Sequence, residues 1–94
     1  MNLTQEQLSS IEEMAYRLVP PQLVALNIEV DELDFLHEIR VPGTTAHKTY
    51  YQGYLRQIVE TREAIIKAAK NGSNPAQAEL LKFMNEVNLH LKYE

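Results

Sequence analysis

The stretch of residues 46–71 constrains the fold more than any other, because no proline interrupts it and a single glycine lies inside it. Its apolar side chains recur at steps of three, four and seven residues, which is the spacing of a helix rather than a strand. This stripe consists of Tyr51, Tyr54 or Leu55, Ile58, Ile65 and Ala69. Thr44 and Thr45 offer N-caps, and Gly72 suits the left-handed position after a helix. The pattern predicts one helix, roughly 38 Å long at 1.5 Å per residue.

Such a helix is longer than a domain of this size is wide, since a radius of gyration of about 12 Å is expected. One end must therefore project, or a partner subunit must cover it. Gly53 inside the helix costs about 1 kcal/mol relative to alanine, which indicates that another helix crosses closely there. Either the first helix or the head of the same chain, or else a neighbouring subunit, would supply that crossing. The second alternative predicts a homo-oligomer, with interface candidates Tyr50, Gly53, Tyr54 and Ile58.

The residues before this helix predict three shorter ones. Thr4 and Gln7 form a capping box, which predicts a first helix over residues 4–19 with an apolar stripe of Leu8, Ile11, Ala15 and Leu18. Two prolines at 20–21 end it, and Pro21 suits the first turn of a helix that runs to residue 28. Asp31 is an N-cap for a third helix over residues 32–39, with Leu33, Leu36 and Ile39 inward and Phe35 as a further core candidate.

The second and third of these helices have the spacing of a helix-turn-helix unit. Ala25 permits close packing, Val30 pins the turn, and Leu36 packs from the third helix. After residue 71 a short link places Asn74 at an N-cap and Pro75 at the first turn of a last helix over residues 75–91. Its stripe is Leu80, Met84, Val87 and Leu91, supported by Leu81. The link turns this helix back antiparallel to the long one.

We therefore expect an all-α fold and a single domain over residues 1–94. A three-helix head with the helix-turn-helix occupies residues 1–41, and a long antiparallel helical hairpin for oligomerisation occupies residues 44–94. The chain has no cysteine, which leaves no disulfide or thiolate metal site. No apolar run approaches about 18 residues, so no membrane span is expected. The N-terminus lacks the features of a signal peptide, which predicts a cytoplasmic protein.

Charge is unevenly distributed along the chain, whose net charge is −4. Residues 20–40 carry five acids and one base, whereas residues 41–72 carry two acids and five bases. A protein that grips DNA alone is usually more basic. If DNA is bound, the candidates nearest the head are Arg40, His47, Lys48 and Arg56. Each subunit would then bind duplex DNA weakly, and an oligomer would multiply the contacts.

Catalysis is not predicted. Acidic pairs such as Asp31 with Asp34 have no accompanying nucleophile or glycine-rich phosphate loop. His37 and His47 flank a Pro-Gly loop, but a metal site would need a third ligand, and solvated histidines are the simpler interpretation. We therefore expect no enzyme activity, no metal and no cofactor.

The order of these segments resembles the small subunits of tailed-phage terminases and their prophage relatives. The family's helix-turn-helix pattern is similar to residues 24–32, VALNIEVDE, and its start of the long helix is similar to residues 49–53, TYYQG. Further similarities are Arg62, Ala69, and the pair Gly72 and Ser73. Glu29 stands where the family has a turn glycine, so this residue must take a positive φ or the turn must differ.

The resemblance implies a non-catalytic DNA-recognition subunit that presents viral DNA to a large ATPase–nuclease subunit during packaging. The expected partners are double-stranded DNA, the terminase large subunit and further copies of this chain, in the host cell cytoplasm. Two other functions stay open. One is a helix-turn-helix transcriptional regulator. The other is a protein–protein adaptor that does not bind DNA, favoured by the acids of the third helix, namely Asp31, Glu32, Asp34 and Glu38.

Overall fold

A computed structural model describes residues 1–93 of the chain. These residues form five α-helices, and none of them forms a strand, which confirms the all-α class. The helices are α1 (Gln5–Tyr16), α2 (Pro21–Asn27), α3 (Glu32–Arg40), α4 (Thr45–Lys70) and α5 (Asn74–Tyr93). No helix within residues 1–93 is long and apolar enough to cross a membrane.

Local side-chain chemistry sets several helix starts as the sequence predicts. The Thr4 side chain accepts from the Gln7 amide at 3.1 Å, and the Gln7 side chain accepts from the Thr4 amide at 2.9 Å, which completes the capping box. The Asp31 side chain accepts from the Asp34 amide at 2.9 Å and so caps α3. At the start of α5, however, the cap is Ser73, whose hydroxyl accepts from Ala76, and not the predicted Asn74.

Three helices end in the same left-handed turn. In each, the residue after the C-cap has a positive φ, and two backbone N–H groups bond back to the last helical turn, which is the Schellman motif. The left-handed residues are Leu18 after α1 (φ 62°), Glu29 after α2 (φ 58°) and Gly72 after α4 (φ 97°). Glycine adopts this conformation freely, but Leu18 and Glu29 carry a Cβ atom that crowds it. Gly72 is left-handed as predicted, and Glu29 takes a positive φ, one of the two alternatives that the sequence left open for this turn.

The chain divides into two compact units, an N-terminal unit of residues 1–58 and a C-terminal unit that begins at residue 59. Their boundary lies inside α4. The N-terminal unit therefore contains the first part of α4 as well as the predicted head, and the C-terminal unit contains the last part of α4 with α5.

The N-terminal unit has a continuous apolar core contributed by all four of its helices. Ile11, Val24 and Phe35 are its largest fully buried side chains. The remaining buried members are Ala25, Ile28, Ile39 and Ala46. Burial of a side chain as large as phenylalanine contributes about 1.5–3 kcal/mol, so this core is the main stabilising feature of the unit.

Helix α1 crosses α4 at Gly53, within the N-terminal unit. A Cβ atom added to Gly53 would lie 2.1 Å from the backbone oxygen of Glu12 and 3.1 Å from the Cβ of Ala15. Only glycine permits that approach, because a backbone carbonyl cannot rotate away as a flexible side chain can. The crossing helix is thus α1, the first of the two alternatives that the sequence allowed.

The buried stripes differ from the prediction at several positions. Small residues such as Ala46 and Gly53 form the buried face of the first part of α4, because they allow close helix packing, while Tyr51, Tyr54 and Leu55 are exposed. Leu18 is 56% exposed because α1 ends at Tyr16 rather than residue 19. Leu33 was expected inward on α3 and is instead 74% exposed, since Phe35 and Ile39 occupy the core.

The C-terminal unit has a much smaller core. Ala69 and Ala76 are its buried apolar residues among those described, and both lie next to the link between α4 and α5. The Gln77 side chain donates to the Ala69 carbonyl at 3.1 Å. Farther along, Arg62 forms a 2.7 Å ion pair with Glu86, and its guanidinium lies 4.2 Å from the ring centroid of Phe83. The predicted stripe of α5 is largely exposed at Met84, Val87 and Leu91.

Candidate nucleic-acid interface

The end of α3, the loop after it and the first part of α4 form the longest acid-free segment of this acidic chain. No aspartate or glutamate occurs between Glu38 and Glu60, whereas Arg40, Lys48 and Arg56 all lie in that interval, together with His47. These four residues are the ones that the sequence nominates for phosphate contacts. In the fold, two of them are exposed cations without an ion-pair partner, and the other two contact other side chains or backbone of the protein.

Thr44 fixes the loop that joins the two helices. Its hydroxyl donates to the Glu38 carbonyl at 2.7 Å and accepts from the His47 amide at 3.1 Å. Thr44 is therefore the N-cap that the sequence predicts for α4, and it also ties the start of α4 to the last turn of α3. This bond pattern holds the end of α3, with Arg40, beside the first turn of α4, with Lys48.

Arg40 and Lys48 are both exposed. Neither forms an ion pair with any residue in the described part of the chain, 1–93. A guanidinium and an ammonium in this state can each donate hydrogen bonds to a phosphate oxygen. They are the two phosphate-binding candidates that the structure leaves free.

His47 is turned toward the protein. Its Nδ1 atom is in hydrogen-bond contact with the carbonyl oxygen of Ile39. Because a carbonyl oxygen only accepts, Nδ1 is the donor in this contact. His47 therefore joins α3 to α4 and is half-buried. Its ring also lies 4.6 Å, centroid to centroid, from that of Tyr51, at an interplanar angle of 41°.

Arg56 is engaged with α1 rather than free for phosphate. Its guanidinium lies 3.1 Å from the Glu13 carboxylate and 3.4 Å from that of Glu12, and 4.2 Å from the ring centroid of Tyr16. Hydrogen bonding from Arg56 lowers the pKa of Glu13, and the same bond raises the pKa of Arg56. Arg56 thus helps to hold α1 against α4, a role that the sequence does not reveal.

A cluster of aromatic rings follows His47 along α4. Tyr50 and Tyr54 each contact Tyr51 edge to face, with ring centroids 5.8 and 6.3 Å away. The Tyr50 hydroxyl donates to the Val19 carbonyl at 3.0 Å, and burial raises the pKa of Tyr50. Tyr51 and Tyr54 instead remain 47% and 41% exposed. One tyrosine therefore anchors the helix to its unit and two present their rings to solvent.

Tyr51 borders a shallow groove of about 330 Å³ on the outer side of α4. None of the side chains that line it is acidic, and Lys48 is the cation among them. The lining consists of Gly43, His47, Lys48, Tyr51, Gln52 and Leu55. Positions 48, 51, 52 and 55 share one helical face, so this signal was present in the sequence. It was missed because the same tyrosines also fit an apolar core stripe.

The residues proposed for an oligomer interface have mixed surroundings. Gly53 is covered by α1 of the same chain, and Tyr50 is bonded to Val19, so both are explained without a second subunit. Tyr54 is exposed and Ile58 is half-buried. Of the four, Tyr54 offers the most free surface within the chain.

The outer side of α2 and α3 has the opposite character. Asp34, Glu32 and Glu29 are exposed there, as are Leu26 and Leu33. Carboxylates on this side would repel the phosphates of a duplex. A duplex would therefore meet the end of α3 and the start of α4 more favourably than the start of α3.

Comparisons with protein-family models, with curated proteins and with solved structures found no match to this chain.

Proposed function

We propose that this chain is a non-catalytic DNA-recognition subunit of a phage DNA-packaging terminase, which presents viral DNA to a large ATPase–nuclease subunit. The proposal starts from the resemblance of its ordered segments to terminase small subunits. The observation that carries it furthest is that Arg40 and Lys48 are exposed cations without ion-pair partners in a segment without acids. Thr44 holds the end of α3, which carries Arg40, against the start of α4, which carries Lys48.

Two contacts per subunit give weak and salt-sensitive binding, because affinity for duplex DNA depends on the number of phosphates neutralised. A homo-oligomer would present the same pair repeatedly along one duplex and raise the overall avidity. The proposal therefore includes self-association, which light scattering at micromolar concentration measures. A strict monomer would remove this part of the proposal.

The central test is fluorescence anisotropy with a labelled duplex of random sequence at several salt concentrations. Arg40→Ala/Lys48→Ala should weaken binding and reduce the slope of log affinity against log salt by about 2 per bound subunit. The matched control is Lys67→Ala/Lys70→Ala, which removes the same charge from exposed positions of the C-terminal unit. Equal losses in both double variants would reduce the effect to net charge, and no binding by the native protein at low salt would end the DNA proposal.

The acidic and apolar outer side of α2 and α3 favours a second candidate function, a protein–protein adaptor without DNA affinity. Leu33 is 74% exposed among carboxylates, an unusual arrangement for a surface that approaches phosphates. Absence of binding to random duplex DNA at low salt favours the adaptor. Asp34→Lys/Glu38→Lys tests the orientation of α3: the variant should bind duplex DNA more tightly than the native chain if that side of α3 lies near phosphate, and an unchanged affinity would show that this side faces away from the duplex.

A further inference from the structure

The groove on the outer side of α4 combines features of sites for unpaired nucleic acid. It presents an exposed aromatic ring, Tyr51, and a cation, Lys48, with the amide of Gln52 on the same helical face. Proteins that bind single strands stack bases on aromatic rings and contact the backbone with cations. The duplex contacts discussed above use Arg40 and Lys48 but give no role to the rings.

The ring of Tyr51 contacts three neighbouring rings on α4. His47 packs against it at 4.6 Å, and Tyr50 and Tyr54 contact it edge to face on the same helix. His47 is itself fixed by its bond to the Ile39 carbonyl, and Tyr50 by its bond to Val19. An aromatic platform whose neighbours are fixed loses little conformational freedom when a base stacks on it.

The size and chemistry of the groove suit one base with its phosphate. Its volume of about 330 Å³ lies at the lower end of the roughly 300–1,000 Å³ typical of small-ligand sites. Leu55 supplies an apolar wall, and the Gln52 amide offers both a donor and an acceptor to a base edge. No carboxylate lines the groove to repel a phosphate. A duplex cannot use this arrangement, because its bases are already stacked.

We propose that the groove formed by Lys48, Tyr51, Gln52 and Leu55 binds single-stranded nucleic acid, with one unpaired base stacked on Tyr51 and the adjoining phosphate on Lys48. The inference rests on the proposed function for the presence of nucleic acid, and it adds the strand type, an unpaired end or loop, that this surface prefers. Binding in the groove should not depend on which base is stacked, since every base has a π-face.

The test measures fluorescence anisotropy of labelled oligothymidylate and of a duplex of equal length with the native protein and three variants. Tyr51→Ala should weaken single-strand binding by roughly 5- to 150-fold, the range found when one stacking residue is removed. Tyr51→Phe keeps the ring and should bind nearly as the native chain does. Met84→Ala, which shortens a similarly exposed side chain of the C-terminal unit, is the matched control and should leave binding unchanged. Circular dichroism verifies that each variant is folded.

The outcomes separate this inference from the proposed function. Single-strand binding that falls with Tyr51→Ala, in the absence of duplex binding, supports the groove and removes the duplex contact. Duplex binding with no single-strand binding, or with single-strand binding that Tyr51→Ala leaves unchanged, overturns the groove and leaves the proposed function intact. Absence of binding to either strand form overturns both.

Discussion

The two units of this chain are built from helices of similar character, but they bury very different amounts of apolar surface. The N-terminal unit encloses Phe35, Ile11 and Val24 completely, whereas the buried residues described in the C-terminal unit are the alanines Ala69 and Ala76. Helical stability in proteins comes mostly from packing of an apolar face rather than from helix propensity. The N-terminal unit should therefore be a cooperative folding unit. The C-terminal unit should depend more on caps and local ion pairs, because Met84, Val87 and Leu91 are exposed.

Truncation of Phe35 should have the largest effect. Phe35→Ala leaves a cavity at the centre of the core, for which the expected cost is about 3–5 kcal/mol. Leu33→Ala on the same helix, and Met84→Ala in the other unit, remove exposed side chains and should cost under about 1 kcal/mol. Urea denaturation followed by circular dichroism measures all three. The contrast between the units fails if Met84→Ala costs as much as Phe35→Ala.

The crossing of α1 and α4 should be the next most sensitive position. Gly53→Ala places a Cβ atom 2.1 Å from the Glu12 carbonyl, so α1 must move away. Although alanine is the better helix former, overpacking of this kind typically costs about 1–3 kcal/mol. Gln52→Ala changes the exposed neighbouring position and should be close to neutral. The same denaturation curves compare the two, and a gain in stability for Gly53→Ala would contradict the close approach.

Removal of the cap of α5 tests the less packed unit. Ser73→Ala deletes the acceptor for the Ala76 amide, for which about 0.5–2 kcal/mol is expected. The effect should appear as faster amide hydrogen exchange in the first turn of α5, with the N-terminal unit unaffected. Asn74→Ala is the control variant, because the exposed Asn74 side chain does not accept this hydrogen bond. Faster exchange in Asn74→Ala than in Ser73→Ala would restore the cap that the sequence suggested.

The smallest expected effect is a pH dependence at the Arg56 contact. The bond from Arg56 lowers the pKa of Glu13 from its ordinary 4.5, so the folded state binds this proton less readily than the unfolded state. The contribution is present above about pH 4.5 and is lost as the pH falls through the lower, folded-state pKa. Glu13→Gln should narrow the difference in denaturation midpoint between neutral and acidic pH. Glu63→Gln should not, because the exposed Glu63 makes no ion pair within residues 1–93.

Local signals in the sequence predicted the helices well. The capping box at Thr4, the cap at Asp31 and the left-handed turn at Gly72 each depend on a few neighbouring residues, so spacing alone identifies them. The buried faces were harder to predict. The first part of α4 packs through Ala46 and Gly53, and a pattern search that weights large apolar side chains favours the tyrosines instead.

The candidate interface could be predicted only in part for a related reason. Charge counting found Arg40 and Lys48, which remain exposed in the fold. It also selected His47 and Arg56, but the Ile39 carbonyl engages His47, and two carboxylates of α1 engage Arg56. Glu12 and Glu13 lie more than forty positions before Arg56 in the chain. Sequence spacing within one helix carries no information about such contacts, which depend on how α1 crosses α4.

The left-handed turns at Leu18 and Glu29 make these two positions unusual sites for protein chemistry. The left-handed conformation costs an L-residue roughly 1–2 kcal/mol, whereas a D-residue prefers it. In a chain assembled by chemical ligation, D-residues at these joints would stiffen the connections between the first three helices and hinder proteases, while every helix kept its natural composition.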